Sequence, residues 1–213
     1  MNKFIFSDTE TTGLSPKTER MLEFACMEVH DRAKTGRVFH QYVNPQKEVH
    51  HAAFRVHGIS WESVKDKPLF VDFADHLIEM FSGSVFVAHN APFDVGFFNM
   101  EFKRAGRSFQ IGRDCEVLDT LKLAKEIFPG QKNSLDALCS RLSIDRSNRV
   151  LHGALLDTEL LVQVYIAMTQ KQQDFSLSKS VSQGDEAKLA YCAADLLPSE
   201  LKSHEDYIKE MIS

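Results

Sequence analysis

The sequence predicts an α/β domain built on a mixed sheet, followed by a tail of different character. Three observations support this. Short apolar runs ending in polar turn signals alternate with helix-spaced segments, three strand-like runs open the chain in meander order, and the composition changes near residue 170. A chain of 213 residues holds one substantial core and a short appendage.

KFIFSD (3–8) is a short apolar run bounded by polar residues and reads as a strand. LEFACMEVH (22–30) sets Phe24, Cys26 and Glu28 on one parity and Ala25, Met27 and Val29 on the other, a second strand. RVFHQYV (37–43), after the KTG turn, is the third, and the three are expected as antiparallel neighbours. LFVDFADHLIEMF (69–81) has apolar residues at helical spacing behind Pro68. SVFVAHN (84–90) is a buried strand running into a polar end, and FDVGFFNMEFKRAG (93–106) is a helix closed by Gly106. CEVLDT (115–120) is a short strand, with helices at roughly 120–128 and 133–141 after it. The longest helix is GALLDTELLVQVYIAMTQ (153–170), amphipathic with a broad apolar face.

From Lys171 the sequence QQDFSLSKSVSQGDEAK (172–188) is rich in Gln, Ser and charge and reads as an extended, mobile segment. A short helix is expected from about Ser199, too small to bury a core alone. The expected division is therefore 1–170 as the folded domain, 171–185 as a flexible linker and 186–213 as a C-terminal segment.

The composition, 43% apolar and 26% charged, is that of a folded protein. Four cysteines (26, 115, 139 and 192) show no zinc or disulfide spacing. The N-terminus lacks a signal-like apolar region and no apolar run approaches 18 residues, so a cytoplasmic protein is expected. A net charge of −5 gives no support to a broad basic surface for nucleic acid. Such a chain can still act on DNA when cations and a few local Lys or Arg residues handle the phosphates.

The chemistry begins in FSDTETTGLS (6–15), where Asp8 and Glu10 close an apolar run. Residues i and i+2 of a strand share a side, so both carboxylates can reach one point. Solvated turn acids are the plain alternative. Asp94, in HNAPFDVGFF, lies in the first turn of a helix, where an acid also suits the dipole without any function. Asp157 is more telling, because it interrupts an apolar stripe of Leu156, Leu160, Leu161 and Val164. A carboxylate there is expensive unless paired or metal-bound. His152 stands five residues earlier beside Gly153, and a place just outside the helix lets it swing over a site that Asp157 helps to build. Oxygen ligands without a Cys/His set favour two Mg²⁺ or Mn²⁺ ions, which can hold a phosphodiester between them. Imidazole titrates near neutral pH and suits the general base.

FSDTETTG, HNAPFDVGF, KNSLDALC and LHGALLDTELL resemble the motifs of the DEDDh branch of 3′–5′ exonucleases, an RNase H-like fold. The resemblance covers about residues 3–170. It is nearest to the epsilon, or proofreading, subunits of bacterial DNA polymerase III, through VHGIS (56–60), FPGQKNSLDALC (128–139) and VYIAMTQ (164–170). It implies a mixed five-stranded sheet flanked by helices. It also implies that Asp8, Glu10 and Asp157 hold a first metal, that Asp8 bridges to a second positioned by Asp94, and that His152 is the base. Thr9, Thr11, Thr12 and Leu14 would border the terminal nucleotide, with Leu14 wedged beside its base. His57 and Asn90 would meet the substrate or order the site, and Phe93 would stack or fill core. His89 reads as structural, and Gly13 as permitting a tight turn or close approach.

The substrate implied is a single-stranded or frayed 3′ DNA end. QQDFSL resembles a clamp-binding motif, with Gln172, Phe175 and Leu177 entering a groove of the sliding clamp. The segment beyond resembles, by position, the part that binds the polymerase III alpha subunit. The small theta subunit, where an organism has one, would bind the catalytic domain. An RNA-directed exonuclease of the oligoribonuclease or RNase T type would use the same five residues, and a scaffold for the polymerase is the non-enzymatic alternative.

Overall fold

The computed structural model describes residues 3–147 and 151–181, with side chains as far as residue 170. Five strands are described: β1 (Lys3–Thr11), β2 (Met21–His30), β3 (Ala33–Tyr42), β4 (Val85–Ala88) and β5 (Glu116–Asp119). They lie in the order β3-β2-β1-β4-β5. The first three are antiparallel, and β4 and β5 run parallel to β1. This is the mixed sheet that the strand and helix rhythm predicts. The helices are α1 (His51–His57), α2 (Trp61–Val64), α3 (Ala74–Phe81), α4 (Ala91–Arg104), α5 (Thr120–Ile127), α6 (Leu135–Arg141) and α7 (Ala154–Val181).

Alternation along β1 decides which layer each residue meets. Ile5 joins Phe24, Cys26 and the side chains of α3 and α4 on one face. Phe6 joins Met27, Val29 and Val87 with Leu161 and Val162 of α7 on the other. The first face is packed with phenylalanine. Phe24, Phe70, Phe81, Phe86, Phe98 and Phe102 touch with ring centroids 5.3–6.4 Å apart, mostly edge to face. Each such pair adds about 0.5–1.5 kcal/mol to the burial of its rings. α7 also packs on α5 and α6 through Leu160, Val164 and Met168 against Ala124, Leu138 and Cys139. A smaller cluster, Leu22, Ile59 and Val64 with Val49 and Trp61, lies under α1 and α2.

Several boundaries differ from expectation. β1 continues to Thr11, because β2 pairs with it to the end through Thr11 and Met21 past a register shift. The β2–β3 turn falls at Asp31 and Arg32, with φ of 47° and 67°, and not at the KTG sequence. Two consecutive positive φ values suit a two-residue hairpin turn, so β3 begins earlier and runs through Gly36. The helix expected over 69–81 is broken at Phe73 into a single 3-10 turn (Phe70–Asp72) and α3, with the Leu69 N–H held by Asp72 Oδ2 at 2.9 Å. α1 and α2 were not expected at all. The segment from Lys171, expected to be extended, is helical to Val181 as the continuation of α7. The expected helix from Ser199 and the segment 186–213 lie outside the described residues. The sheet and the site described next belong to one compact unit, Met1–Met168.

Candidate active site

β1 brings Asp8 and Glu10 to the face that meets α7, where the sheet is covered by the start of that helix. The ligand atoms of Glu10, His152 and Asp157 all lie within 4.8 Å of one another. Glu10 and Asp157 are buried, at 8% and 3% exposure. His152 is not part of α7. It precedes the helix by one glycine, and its Nδ1 lies 3.1 Å from Asp157 Oδ2 while nearly half of the side chain is exposed. Its backbone N–H donates to the Val56 carbonyl at 3.3 Å. Residues remote in sequence thus supply two carboxylates and an imidazole to one spot, and the histidine faces solvent where a substrate would arrive.

Asp94 enters from the opposite layer. It lies in the first turn of α4 at 3% exposure, and the Thr9 hydroxyl donates to its Oδ1 at 2.8 Å. Burial pushes its carboxyl up to about 7, against the pull of the Thr9 hydroxyl and of backbone N–H donors. Neither Asp8 nor Asp94 belongs to the close trio of Glu10, His152 and Asp157. The donors that do converge are two carboxylates and an imidazole, and Asp8 adds a third carboxylate on the same face of β1. Oxygen-rich sets of this kind fit hard divalent cations.

The loop from Thr12 to Arg20 presents Leu14 at 86% exposure, far beyond what an ordinary leucine shows. The loop is tied down at its base. Thr12 Oγ1 and Lys47 Nζ donate to Glu19 Oε2 at 2.6 and 2.9 Å. Burial raises the Glu19 carboxyl, but these two hydrogen bonds and the Lys47 charge outweigh it and hold the group at about 2. Arg20 grips both oxygens of buried Glu101 at 2.7 and 3.0 Å, and Arg104 bonds Glu101 and the carbonyls of Pro16, Lys17 and Glu19. A Cβ on Gly13 would meet Glu19 Cγ at 3.0 Å, a tight contact that would push on the anchored Glu19 side chain.

The remaining expected residues fall around this centre. Thr11 Oγ1 donates to the Gly13 carbonyl at 2.7 Å. His57 is buried with both ring nitrogens bonded to backbone, Nδ1 accepting from Ile59 N–H at 3.0 Å and Nε2 facing the Thr11 carbonyl at 3.3 Å. Burial lowers its pKa, as befits an imidazole that orders the strand end. Asn90 is exposed, holds φ of 68° at the start of α4, and is fixed by its N–H to Asp119 Oδ1. Phe93 is half-buried against Phe97, with centroids 5.0 Å apart. His89 bonds Thr120 and the Asn133 carbonyl, a structural position. Gln172, Phe175 and Leu177 lie on the helical backbone of α7, and their side chains lie outside the described residues. Glu23 was not anticipated, although it stands on the same parity of β2 as Ala25, Met27 and Val29, an acid in an apolar stripe.

A family model described as "Exonuclease" matches residues 5–165. The DNA polymerase III subunit epsilon of Buchnera aphidicola (from Acyrthosiphon pisum) is 40% identical over 84% of this chain and 77% of the relative. That of Rickettsia prowazekii is 38% identical over 98% of this chain and 96% of its own length. Among solved structures, E. coli exonuclease I with single-stranded DNA aligns with a TM-score of 0.71 at 19% identity. That alignment takes in 90% of this chain but 45% of exonuclease I, and shows a shared fold. Exonuclease X, solved with 5′-overhanging duplex DNA, aligns at a TM-score of 0.59 and 27% identity over 80% of this chain and 92% of its own. With the sheet, the acidic centre and this breadth of kinship in agreement, the chain belongs to the DEDDh exonucleases and, within them, to the DNA polymerase III epsilon subunits, the metal-dependent 3′–5′ proofreading enzymes.

Proposed function

We propose that this exonuclease trims mismatched primer termini beside the replicative polymerase, using two Mg²⁺ or Mn²⁺ ions held by Asp8, Glu10, Asp94 and Asp157. The observation that carries this reading is the grouping of Glu10, His152 and Asp157 within 4.8 Å. Bound divalent cations would supply Lewis-acid activation of a water and offset charge on the departing oxygen.

The chain's own residues account for the rest. With Nδ1 donating to Asp157, His152 takes the tautomer whose Nε2 carries the lone pair, and that lone pair accepts the proton of the attacking water. The water oxygen bonds to phosphorus as the P–O3′ bond breaks, and a 5′-mononucleotide leaves. Leu14 stands beside the path of the terminal base as a wedge, with Thr9 and Thr11 at the strand end and His57, Asn90 and Phe93 bordering or ordering the site. An end gripped in this way must be unpaired. A mismatched terminus frays at a cost smaller by about a few kcal/mol, which gives selectivity without direct reading of bases.

Residues 1–170 form the exonuclease domain in this reading. The stretch 171–185, with Gln172, Phe175 and Leu177, meets the sliding clamp, and 186–213 binds the alpha subunit. The relatives' name, DNA polymerase III subunit epsilon, supports a polymerase partner. Tethering holds the nuclease at high effective concentration near the primer end. No described helix is long and apolar enough to cross a membrane.

The test is hydrolysis of matched and mismatched 3′ ends by the purified protein, with Mg²⁺ and with EDTA. Faster loss of the mismatched end, abolished by EDTA, is expected. Indifference to chelation overturns the cation chemistry, and preference for short RNA overturns the substrate.

A further inference from the structure

Glu23 is a buried acid that the chemistry above does not use. It sits directly opposite Glu10 in the β1–β2 register, on the face that meets α7, at 2% exposure. Burying a second carboxylate beside the first is costly, and the next positions of the same stripe, Ala25 and Met27, are apolar. The bonds of Glu23 show what the acid does there. Glu23 Oε2 accepts the N–H of Ala154, the first residue of α7, at 3.2 Å across 131 positions of sequence. Glu23 Oε1 is bonded by His40 Nε2 at 2.7 Å, and Tyr42 stands opposite Glu23 in the β2–β3 register. With both of its oxygens bonded, the carboxylate has little freedom to turn.

We propose that Glu23 is a positioning residue for His152. The inference rests on the reading of His152 as the base. Asp157 has its own support, since Leu160, Leu161 and Val162 bury that part of α7 in the core. His152 lies outside the helix: Asp157 Oδ2 meets its ring, and the junction carries its backbone. Two bonds tie that junction to parts of the fold outside α7, His152 N–H to the Val56 carbonyl and Ala154 N–H to Glu23. The anion also faces the positive end of the helix, where a carboxylate is favoured. Freeing the second point lets the imidazole drift, and a misplacement of about 1 Å costs on the order of 10²-fold in rate.

The experiment measures kcat and KM on a frayed DNA 3′ end for Glu23→Ala and Glu23→Gln, each with and without His152→Ala, together with amide exchange at Ala154. Glu23→Ala is expected to lower kcat by about 10–100-fold with KM nearly unchanged, and to speed exchange at Ala154. Glu23→Gln keeps an acceptor for Ala154 and is expected to restore most of the rate. In the His152→Ala background the Glu23→Ala change is expected to add almost nothing, because the group it positions is gone. An equal loss in both backgrounds, or full kcat in Glu23→Ala, overturns the proposal. If Glu23→Ala does not fold, His40→Ala on the half-exposed edge strand loosens the same brace and is read in the same two backgrounds, with an equal loss again overturning the proposal. Full activity of His152→Ala by itself sinks the reading of the base. A slowed His152→Ala beside an unaffected Glu23→Ala sinks only the role of Glu23.

Discussion

The Thr9 hydroxyl donates to Asp94 Oδ1 over 2.8 Å, tying the face of β1 that turns away from α7 to the first turn of α4. Asp94 is thereby held in place by a residue that stands between Asp8 and Glu10 on β1. Thr9→Val keeps the shape and removes the donor. The expected outcome is a loss of about 1–3 kcal/mol in urea unfolding, because a buried acceptor is left short of a partner. A raised Mg²⁺ requirement for hydrolysis should accompany it. Unchanged stability and unchanged metal dependence would show that the bond does not fix Asp94.

His152→Ala should lower kcat by about 10²–10⁴-fold while cation binding largely survives. The two are separable by measuring turnover on single-stranded DNA and the rise in melting temperature on adding Mn²⁺. Full-rate hydrolysis would remove His152 from the mechanism.

Leu14 is so exposed that its replacement should leave the fold alone. Leu14→Ala is expected to change stability by less than about 0.5 kcal/mol. Its effect belongs in the kinetics, as a several-fold loss in the preference for mismatched over matched 3′ ends. An unaltered preference would show that the wedge lies elsewhere.

Glu19 links loop anchoring to pH. Its folded pKa of about 2 lies below the usual carboxylate value, so its contribution is complete above about 4.5 and is lost as pH falls toward 2. Glu19→Gln should cost about 1–3 kcal/mol at neutral pH. The gap between the two proteins in urea unfolding should narrow below pH 4.5 and close near pH 2. A gap that does not change with pH would mean that the charge of Glu19 is not what holds the loop.

Much of this architecture is legible in the residues. Strand parity placed Asp8 and Glu10 on one side, and the break that Asp157 makes in its leucine stripe marked the helix face that meets them. What escaped is what depends on long-range pairing. The Asp31–Arg32 turn lacks the glycine or asparagine that signals a tight hairpin, and tertiary pairing of β2 with β3 imposes it. α1 and α2 are one or two turns long, too short for periodicity to register. The continuation of α7 past Lys171 runs against a polar composition that favours coil, because a helix already nucleated extends more readily than one must begin. Glu23 obeys the same logic as Asp157, an acid in an apolar stripe, but its partner on the far side of the chain cannot be read from spacing.

Trp61 is the chain's single tryptophan, and it packs with Leu22, Ile59 and Val64 at the corner that carries His57. Phenylalanine, which fills the large core, emits weakly and at shorter wavelengths than indole, so indole fluorescence reports on this corner far more than on the centre of the molecule. A shift in that emission on adding a nucleotide is the expected sign of binding at the proposed site, read from a natural probe with no label attached.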